Sequence, residues 1–308
     1  MSNYDIIGDI HGFADDLIQL LEKLGYQLNQ EGYYSHPKRK VIFLGDFIDR
    51  GHQQKAVLNI VMKMVDNHAA LAIMGNHEFN ALSYHAKHPV TNKPLRSHND
   101  NHTHQHQAFL DAYQDNKPEL KQVLDWFKRL PLFLELDEIR VIHACWHQDT
   151  MNSIKSVLTA KHCLDNDFLV HANDKKHPFY DAIETLLKGM EVCLPDGQRF
   201  KDSYGHSRNR IRIKWWEETA KTYQETAIVP RSERAAIPNT ALTAEQQPIG
   251  YKSSEKPIFF GHYWFNGQPC IQKSNVACLD YSVAKNGKLV AYRWNHGDQV
   301  LSNQQFVF

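Results

Sequence analysis

Three short glycine-flanked motifs constrain the fold of this chain more than any other feature. They are Gly-Asp-Ile-His-Gly at 8–12, Gly-Asp-Phe-Ile-Asp-Arg-Gly at 45–51 and Gly-Asn-His-Glu at 75–78. Each one follows an apolar run with the length of a buried strand, namely Tyr4–Gly8, Val41–Leu44 and Leu71–Met74. Amphipathic helix patterns separate these runs, at Phe13–Leu24 and Ala56–Val65. The resulting β-α-β-α-β order predicts an α/β fold built from stacked layers.

Two isolated histidines also follow strand-like runs further along the chain. His143 ends Val-Ile-His at 141–143, and His262 ends Phe-Phe-Gly-His at 259–262. In open α/β sheets, ligands bind beyond the carboxyl ends of the strands. Five strand ends therefore each deliver a side chain that can bind a metal ion, and we expect these side chains to converge.

Composition excludes several classes of protein. Lys plus Arg equals Asp plus Glu at 35 each, so no long-range field favours a polyanion and we expect no specific nucleic-acid binding. Five cysteines without a C-x-x-C pair argue against a disulfide framework or a Cys-rich zinc site. No apolar run reaches the ~18 residues of a membrane span, and the N-terminus lacks a signal-peptide pattern. These features predict a cytoplasmic protein that does not bind membranes.

We interpret residues 1–308 as a single domain. A polar stretch near 85–104, rich in His, Asn and Lys, predicts an exposed excursion, and a proline-containing stretch near 228–256 predicts a long loop. His98, His102 and His106 follow helical spacing within or beside the excursion, and a polar surface is the favoured interpretation, with the edge of a substrate cleft as the alternative. For Tyr263 and Trp264 we favour core positions over a base-stacking platform.

The candidate ligands suit a phosphate-binding metal centre. Asp9 and Asp46 are the only acids among them, and the remaining candidates are neutral: His11, Asn76, His143 and His262. Two divalent ions would therefore leave the centre net positive, which favours a phosphate dianion. Mixed nitrogen and oxygen ligands fit Mn, Fe or Zn better than Ca. Our first choice is Mn, with Fe, Zn, Co and Ni as alternatives.

The three motifs in this order resemble those of the phosphoprotein-phosphatase-like branch of the calcineurin-like metallophosphoesterases, and a bacterial subgroup in particular. The resemblance extends from Gly8 to about Trp294, although Ala144 replaces the more common glycine after the first late histidine. It implies a four-layer α/β/β/α sandwich of two mixed sheets with helices outside. It also implies hydrolysis of a phosphoester by a hydroxide shared between two metal ions about 3.5–4 Å apart.

The resemblance assigns a role to each matching residue. Asp9, His11 and Asp46 would bind the first metal ion. Asp46, Asn76, His143 and His262 would bind the second, so that Asp46 bridges the two. His77 would act as the general acid, and Asp49 would orient it. Arg50 would bind the phosphate together with Asn76.

The family usually supplies a second arginine between the two late histidines. Basic residues alternate with isoleucines at 210–214, so a strand would place Arg210, Arg212 and Lys214 on one face. Arg212 is our first choice for a catalytic, phosphate-binding arginine and Arg210 is the second. Asp280 is a candidate partner for a ligand histidine.

Three hypotheses for function stay open. The main one is a phosphomonoesterase acting on phosphoproteins at Ser, Thr or Tyr. The alternative is a dinucleoside tetraphosphatase or another nucleotide phosphohydrolase. The third is a binding protein of the same fold without catalysis, which the intact motif residues argue against. The partner of the chain is accordingly a phosphorylated substrate, either a phosphoprotein or a nucleotide.

Overall fold

A computed structural model of the protein describes residues 3–159, 161–195, 197–202 and 205–308. Its helices are α1 to α9, at Ala14–Lys23, Gln54–Asp66, Asn76–His85, Asp100–Tyr113, Lys117–Phe127, Gln148–Ile154, Asn166–His171, Pro178–Lys188 and Tyr223–Thr226. Its strands are β1 to β18, at Asn3–Ile7, Gln27–Leu28, Tyr34–Ser35, Arg39–Phe43, Ala70–Ala72, Phe133–Glu135, Arg140–Ile142, Glu191–Cys193, Phe200–Lys201, Ser207–Arg208, Arg210–Ile213, Ala227–Ile228, Ile258–Phe260, Val276–Cys278, Asp280–Tyr281, Lys288–Leu289, Ala291–Trp294 and Phe306–Val307.

Two mixed sheets form the centre of the molecule. The first has the strand order β18-β17-β1-β4-β5, in which β1, β4 and β5 are parallel to one another and β17 is antiparallel to both of its neighbours, β1 and β18. The second has the order β14-β13-β7-β6, with only β6 antiparallel. The β-α-β-α-β start predicted from the apolar runs is therefore the parallel half of the first sheet.

The two sheets pack face to face, and helices cover their outer faces. Ile6 and Ile42 of the first sheet share one buried cluster with Val141 and Phe259 of the second. The adjacent residues along the same strands belong instead to a cluster that includes apolar residues of α1, α2, α6 and α8. Because successive side chains of a strand point to opposite faces, this separation defines the layers. The four-layer α/β/β/α sandwich is thus confirmed.

Parallel pairing brings the predicted motifs to shared sheet edges. The first three motifs follow β1, β4 and β5, whose carboxyl ends lie side by side. His143 directly follows β7, and His262 lies just beyond the end of β13. These two strands are parallel neighbours in the second sheet.

A small third sheet, β12-β11-β8, carries Arg210 and Arg212. Its apolar side is covered by the stretch expected to be a long loop, since Ile237 and Leu242 are buried against Ile211 and Ile213. Residues 228–256 contain only short 3₁₀ turns besides the end of β12, and they are anchored rather than free.

The exposed excursion predicted near 85–104 is shorter than the polar composition of that stretch suggests. Helix α4 begins inside it at Asp100, with the Asn99 side chain accepting a hydrogen bond from the backbone N–H of His102. Phe109 and Tyr113 lie one turn apart and are buried, so they anchor the polar helix to the core. His106, one turn earlier, is buried with them, contrary to the expectation of a polar surface.

The first strand carries a buried carboxylate that ties several elements together. Asp5 is fully buried and accepts hydrogen bonds from Arg39 and Arg293 at 2.9 Å each and from the Tyr26 hydroxyl at 3.1 Å.

We expect Asp5→Ala to lower the free energy of unfolding by about 3–5 kcal/mol, because it leaves the largely buried guanidinium of Arg39 without its carboxylate partner. Urea denaturation measures the free energy of unfolding. Asp125→Ala, which removes an exposed ion pair with Lys121, is the control and should have little effect; equal effects of the two variants would contradict the prediction.

Candidate metal centre

The first motif presents His11 with a defined tautomer. Its Nδ1 lies 3.0 Å from the carbonyl oxygen of Ile48, and a carbonyl only accepts, so Nδ1 carries the proton. The Nε2 lone pair then faces Asp46, whose Oδ2 is 3.6 Å away. This is the arrangement by which proteins orient a metal-binding imidazole through its other nitrogen.

Asp46 lies between the two halves of the site. Its Oδ1 accepts a hydrogen bond from the backbone N–H of His77 at 2.9 Å and lies 3.5 Å from Nε2 of His143. Its Oδ2 faces His11. A single carboxylate therefore contacts candidate ligands from both sides, as a bridging ligand must.

In the second half of the site, the side-chain oxygen of Asn76 lies within hydrogen-bond distance of two imidazole nitrogens. The Asn76 Oδ1 atom lies 3.1 Å from His143 Nε2 and 2.7 Å from His262 Nδ1. His143 donates its Nδ1 proton to the Leu44 carbonyl at 2.7 Å, so its Nε2 has no proton to share unless the ring is cationic. The Asn76 oxygen and a neutral His143 Nε2 are therefore two acceptors in close approach, and a cation between them would satisfy both.

The donor set fits two metal ions. Two groups of ligand atoms, from His11, Asp46 and His77 and from Asp46, His143 and His262, each lie within 4.8 Å of one another. Among the described residues, the buried atoms Asp9 Oδ1, His11 Nε2 and His262 Nε2 have no hydrogen-bond partner. Buried polar atoms of this kind are normally satisfied, and a cation would satisfy them here.

Buried charge perturbs the two acids in opposite directions. Burial raises the pKa of Asp9, and the nearby carboxylates of Asp280 and Asp46 raise it further. Burial also disfavours ionisation of Asp46, but the imidazoles of His143 and His77 outweigh it and hold the pKa of Asp46 well below its usual value. Positive charge at the centre therefore keeps the bridging carboxylate ionised.

The histidines that face the centre resist protonation to different degrees. Burial, followed by the charge of His77, lowers the pKa of His11 to about 4. Burial and then the charge of Arg212 lower the pKa of His262 well below its usual value. Both rings are neutral at physiological pH, which is the form that binds metal ions.

Backbone strain is concentrated in these motifs. His11, Asp46, Asp49, Arg50 and His262 all have positive φ values, from 48° to 70°. This left-handed conformation costs non-glycine residues of order 1–3 kcal/mol each and clusters at functional sites. Surrounding contacts must hold it in place.

Two glycines leave room for the acidic side chains. A Cβ atom on Gly75 would lie 2.3 Å from Asp46 Oδ1, and one on Gly261 would lie 2.0 Å from Asp9 Oδ1. Only glycine fits at these positions without displacing a candidate ligand.

His77 and Asp49 form a close pair beside the ligands. His77 Nδ1 donates to Asp49 Oδ2 at 2.5 Å, which leaves Nε2 facing the centre, 3.9 Å from Asp46 Oδ2. Burial opposes ionisation of Asp49, but hydrogen bonds from His106 and His77 keep its pKa far below the usual value. The carboxylate is thus a charged acceptor that holds the ring of His77.

The predicted arginines lie at different depths. Arg50 is exposed, and its guanidinium lies 5.7 Å from the centre of the Trp264 ring, which stacks on the candidate ligand His11. Arg210 is exposed and pairs with Glu191, whereas Arg212 is half-buried and lies 3.7 Å from the same carboxylate. Since the charge of Arg212 also depresses the pKa of His262, Arg212 is the residue closer to the centre in its electrostatic effect.

Asp280 contacts the backbone after His262 and no ligand imidazole among the described hydrogen bonds. Its Oδ2 accepts from the Trp264 N–H at 2.6 Å and its Oδ1 from the Ser282 N–H at 3.0 Å. It therefore differs from the histidine partner expected from the sequence, and it fixes the loop that carries His262.

Glu78 ends the third motif, but the sequence predicts no role for it. Its carboxylate is fully buried and accepts backbone hydrogen bonds from Gly75, Asp46 and Phe47 at 2.8–3.0 Å. Burial and the charge of Asp46 raise its pKa to about 7. A glutamate three residues after a helix N-cap is a recognisable signal for such a role, and here it joins the second and third motifs.

Comparison with known proteins agrees with this architecture. Residues 3–236 match the family model described as calcineurin-like phosphoesterase. A protein serine/threonine phosphatase from Saccharomyces cerevisiae superposes on 99% of this chain and 78% of its own, at 15% identity and a TM-score of 0.51. A mutant of a cold-active protein tyrosine phosphatase covers 95% of this chain and 75% of its own, at 16% identity and a TM-score of 0.50. These likenesses concern the fold alone.

Curated relatives share more of the sequence. The asymmetrical bis(5'-nucleosyl)-tetraphosphatase PrpE of Oceanobacillus iheyensis is 34% identical over 46% of this chain, which spans only 54% of that relative. PrpE of a Geobacillus strain is 32% identical over 66% of this chain and 78% of its own. The symmetrical bis(5'-nucleosyl)-tetraphosphatase of Buchnera aphidicola is 27% identical over 95% of both chains. With its sandwich fold and its family match, the chain belongs to the calcineurin-like metallophosphoesterases.

Proposed function

We propose that this metallophosphoesterase hydrolyses dinucleoside polyphosphates. The observation that carries the proposal is the set of similar proteins named as bis(5'-nucleosyl)-tetraphosphatases, one of which aligns over 95% of the chain. These relatives favour the nucleotide alternative over the phosphoprotein hypothesis that stood first in the sequence interpretation. The phosphoprotein hypothesis is the second candidate, and only the fold of two protein phosphatases supports it.

We assign the first metal ion to Asp9, His11 and Asp46. We assign the second to Asp46, Asn76, His143 and His262. When bound, two such ions neutralise phosphate charge and lower the pKa of coordinated water. The nitrogen and oxygen donors suit first-row divalent ions, among which Mn is our first choice, with Fe, Zn, Co and Ni as alternatives. A cytoplasmic location stays a prediction from composition, and no helix in the described parts of the chain is long and apolar enough to cross a bilayer.

The residues around the metal ligands divide the remaining tasks. His77 donates a proton from Nε2 to the leaving oxygen, because its Nδ1 is held by Asp49. Arg50, Arg212 and Asn76 bind the non-bridging phosphate oxygens, and Arg210 is the second choice for the same role. Arg212 is held loosely by Glu191 at 3.7 Å, so a phosphate competes with a weak partner.

A nucleoside would lie beside Trp264. Tyr263 is buried as expected, but Trp264 is partly exposed and stacks on His11 with ring centres 5.5 Å apart. Lys285 Nζ lies 4.8 Å from the centre of the indole ring, and Arg50 lies near it as well. An indole beside two cations offers both an aromatic surface for a base and positive charge for the phosphate chain. This arrangement supports the nucleotide proposal. The partial exposure of Trp264 differs from the core position favoured from the sequence.

The metal assignment predicts a stoichiometry. Metal-free protein titrated with Mn²⁺ should bind two ions, and His143→Ala should bind fewer, because it removes a buried ligand. Isothermal titration calorimetry and elemental analysis measure this. Saturating Mn²⁺ at 100 times the dissociation constant should stabilise the wild type by about 2.7 kcal/mol per site. His104→Ala, at an exposed position, is the control and should bind two ions; two ions in the His143 variant would contradict the assignment.

The substrate proposal predicts an order of rates. With Mn²⁺ and equal substrate concentrations, diadenosine tetraphosphate should be cleaved faster than a phosphopeptide, and chromatography of the products would distinguish ADP alone from ATP plus AMP. Para-nitrophenyl phosphate serves as a control for an intact metal centre. Cleavage of the phosphopeptide without cleavage of the dinucleotide would reject the proposal and favour the second candidate.

The role of His77 predicts a dependence on the leaving group. His77→Asn should retain both metal ions and lose about 10²–10⁴-fold in kcat on esters with a poor leaving group, because a general acid contributes that much. Para-nitrophenyl phosphate needs little protonation and should lose less. Steady-state kinetics with parallel elemental analysis measures this, and a uniform loss on both kinds of ester would remove His77 as the acid.

A further inference from the structure

Both oxygens of the Asp49 carboxylate are engaged by histidines. Oδ2 accepts from His77 Nδ1 at 2.5 Å, and Oδ1 accepts from His106 Nδ1 at 2.8 Å. The backbone N–H of Asp49 also donates to the side-chain oxygen of Gln54 at 2.8 Å. His106 lies on α4, outside all of the glycine-flanked motifs, so nothing in the motif pattern assigns it to the site.

The ring of His106 is fixed by its surroundings. It is 4% exposed and stacks on Phe109, with ring centres 4.8 Å apart and an angle of 23° between the planes. Tyr84 and His85 approach it at 5.2 Å and 5.6 Å between ring centres. The packing of α4 therefore determines where the Nδ1 atom points.

His106 Nδ1 is the donor in its hydrogen bond to Asp49. An ionised carboxylate only accepts, so the proton of the hydrogen bond belongs to His106 Nδ1. His106 Nε2 is buried and has no partner among the described residues, so a proton there would lie unsatisfied. His106 therefore places a hydrogen-bond donor on Asp49, directly opposite the oxygen that holds His77.

We propose that His106 is a positioning residue for the general acid. The side-chain torsion of an aspartate that rotates its two oxygens has a broad, shallow energy profile. With Oδ1 held by His106, Oδ2 stays directed at His77 Nδ1, and the proton on His77 Nε2 stays directed at the leaving oxygen. This inference rests on the proposed role of His77 but not on the nucleotide substrate.

Two substitutions separate the hydrogen bond from the packing. His106→Phe keeps an aromatic ring against Phe109 but lacks the donor, whereas His106→Asn supplies an amide N–H in place of Nδ1. We expect His106→Phe to lower kcat about 10- to 100-fold on phenyl phosphate, the range found when a supporting hydrogen bond is removed from a metal-site residue. On para-nitrophenyl phosphate the loss should be only a few-fold, KM and metal content should be unchanged, and His106→Asn should recover most of the rate.

A purely structural role would give a different pattern. An equal loss on both aryl phosphates, or a loss of bound Mn²⁺, would overturn the proposal. In a His77→Asn background, His106→Phe should cause no further loss on phenyl phosphate, because the two residues act through one carboxylate; an additive loss would overturn it too. Because the probes are aryl phosphates, failure of the dinucleotide proposal leaves these outcomes interpretable.

The imidazole protons give a readout independent of turnover. The wild type and His106→Asn should share the downfield proton NMR signal of the His77 Nδ1–H bonded to Asp49, and in His106→Phe this signal should broaden or move. An unchanged signal in His106→Phe would show that Asp49 holds His77 without help and would overturn the proposal, even where a variant is too slow for kinetics.

Discussion

The carboxylate of Asp46 lies 3.5–3.9 Å from ring nitrogens of His143, His11 and His77. Such a buried anion is costly unless positive charge compensates it. The imidazoles of His143 and His77 supply part of that charge, whereas the neutral ring of His11 offers only a lone pair. The centre is therefore suited to bind cations, and the features around it hold acceptor atoms close together. Glycines beside Asp46 and Asp9 provide the space, and carbonyl partners of His11 and His143 fix the tautomers.

Holding these atoms requires a strained backbone, and the sheets and Glu78 stabilise it. The residues with positive φ follow strands whose register is set by long hydrogen-bonded pairings, so the strain falls on short loops at rigid edges. Glu78 adds three backbone hydrogen bonds across two of these loops. Burial and Asp46 raise the pKa of Glu78 to about 7, while the three N–H groups favour its ionised form. Metal ions at Asp46 would reduce the repulsion between the two carboxylates, so metal binding and this support favour each other.

Local sequence patterns predict the fold more completely than they predict the candidate site. The apolar runs, the helix stripes and the glycine-flanked turns are short-range signals, and the resemblance they support gave the confirmed sandwich. For His106 the sequence favours a polar surface over the edge of a substrate cleft, because its polar neighbours at 98–104 resemble a solvated surface. Its burial depends instead on Phe109 and Tyr113, which anchor α4. The sequence favours a core position for Trp264. The partial exposure of its side chain depends on how the loop after β13 is held by Asp280, 16 residues away, and no local pattern shows this. Tertiary contacts of this kind leave no periodic signal in the sequence.

The charges of the inner site determine that it binds phosphate, but they do not determine which phosphate ester is bound. The inner site is built from neutral imidazoles and two acids, so bound divalent ions leave a net positive centre for any phosphate. Selection must therefore occur further out, where Trp264 stacks on the candidate ligand His11 and lies beside Arg50 and Lys285. Arg212 lies 3.7 Å from Glu191, an acid that disfavours an additional negative group unless the arginine leaves it. Under the proposed function, the phosphate chain of the substrate would contact Arg212 and Arg50, and its base would contact Trp264.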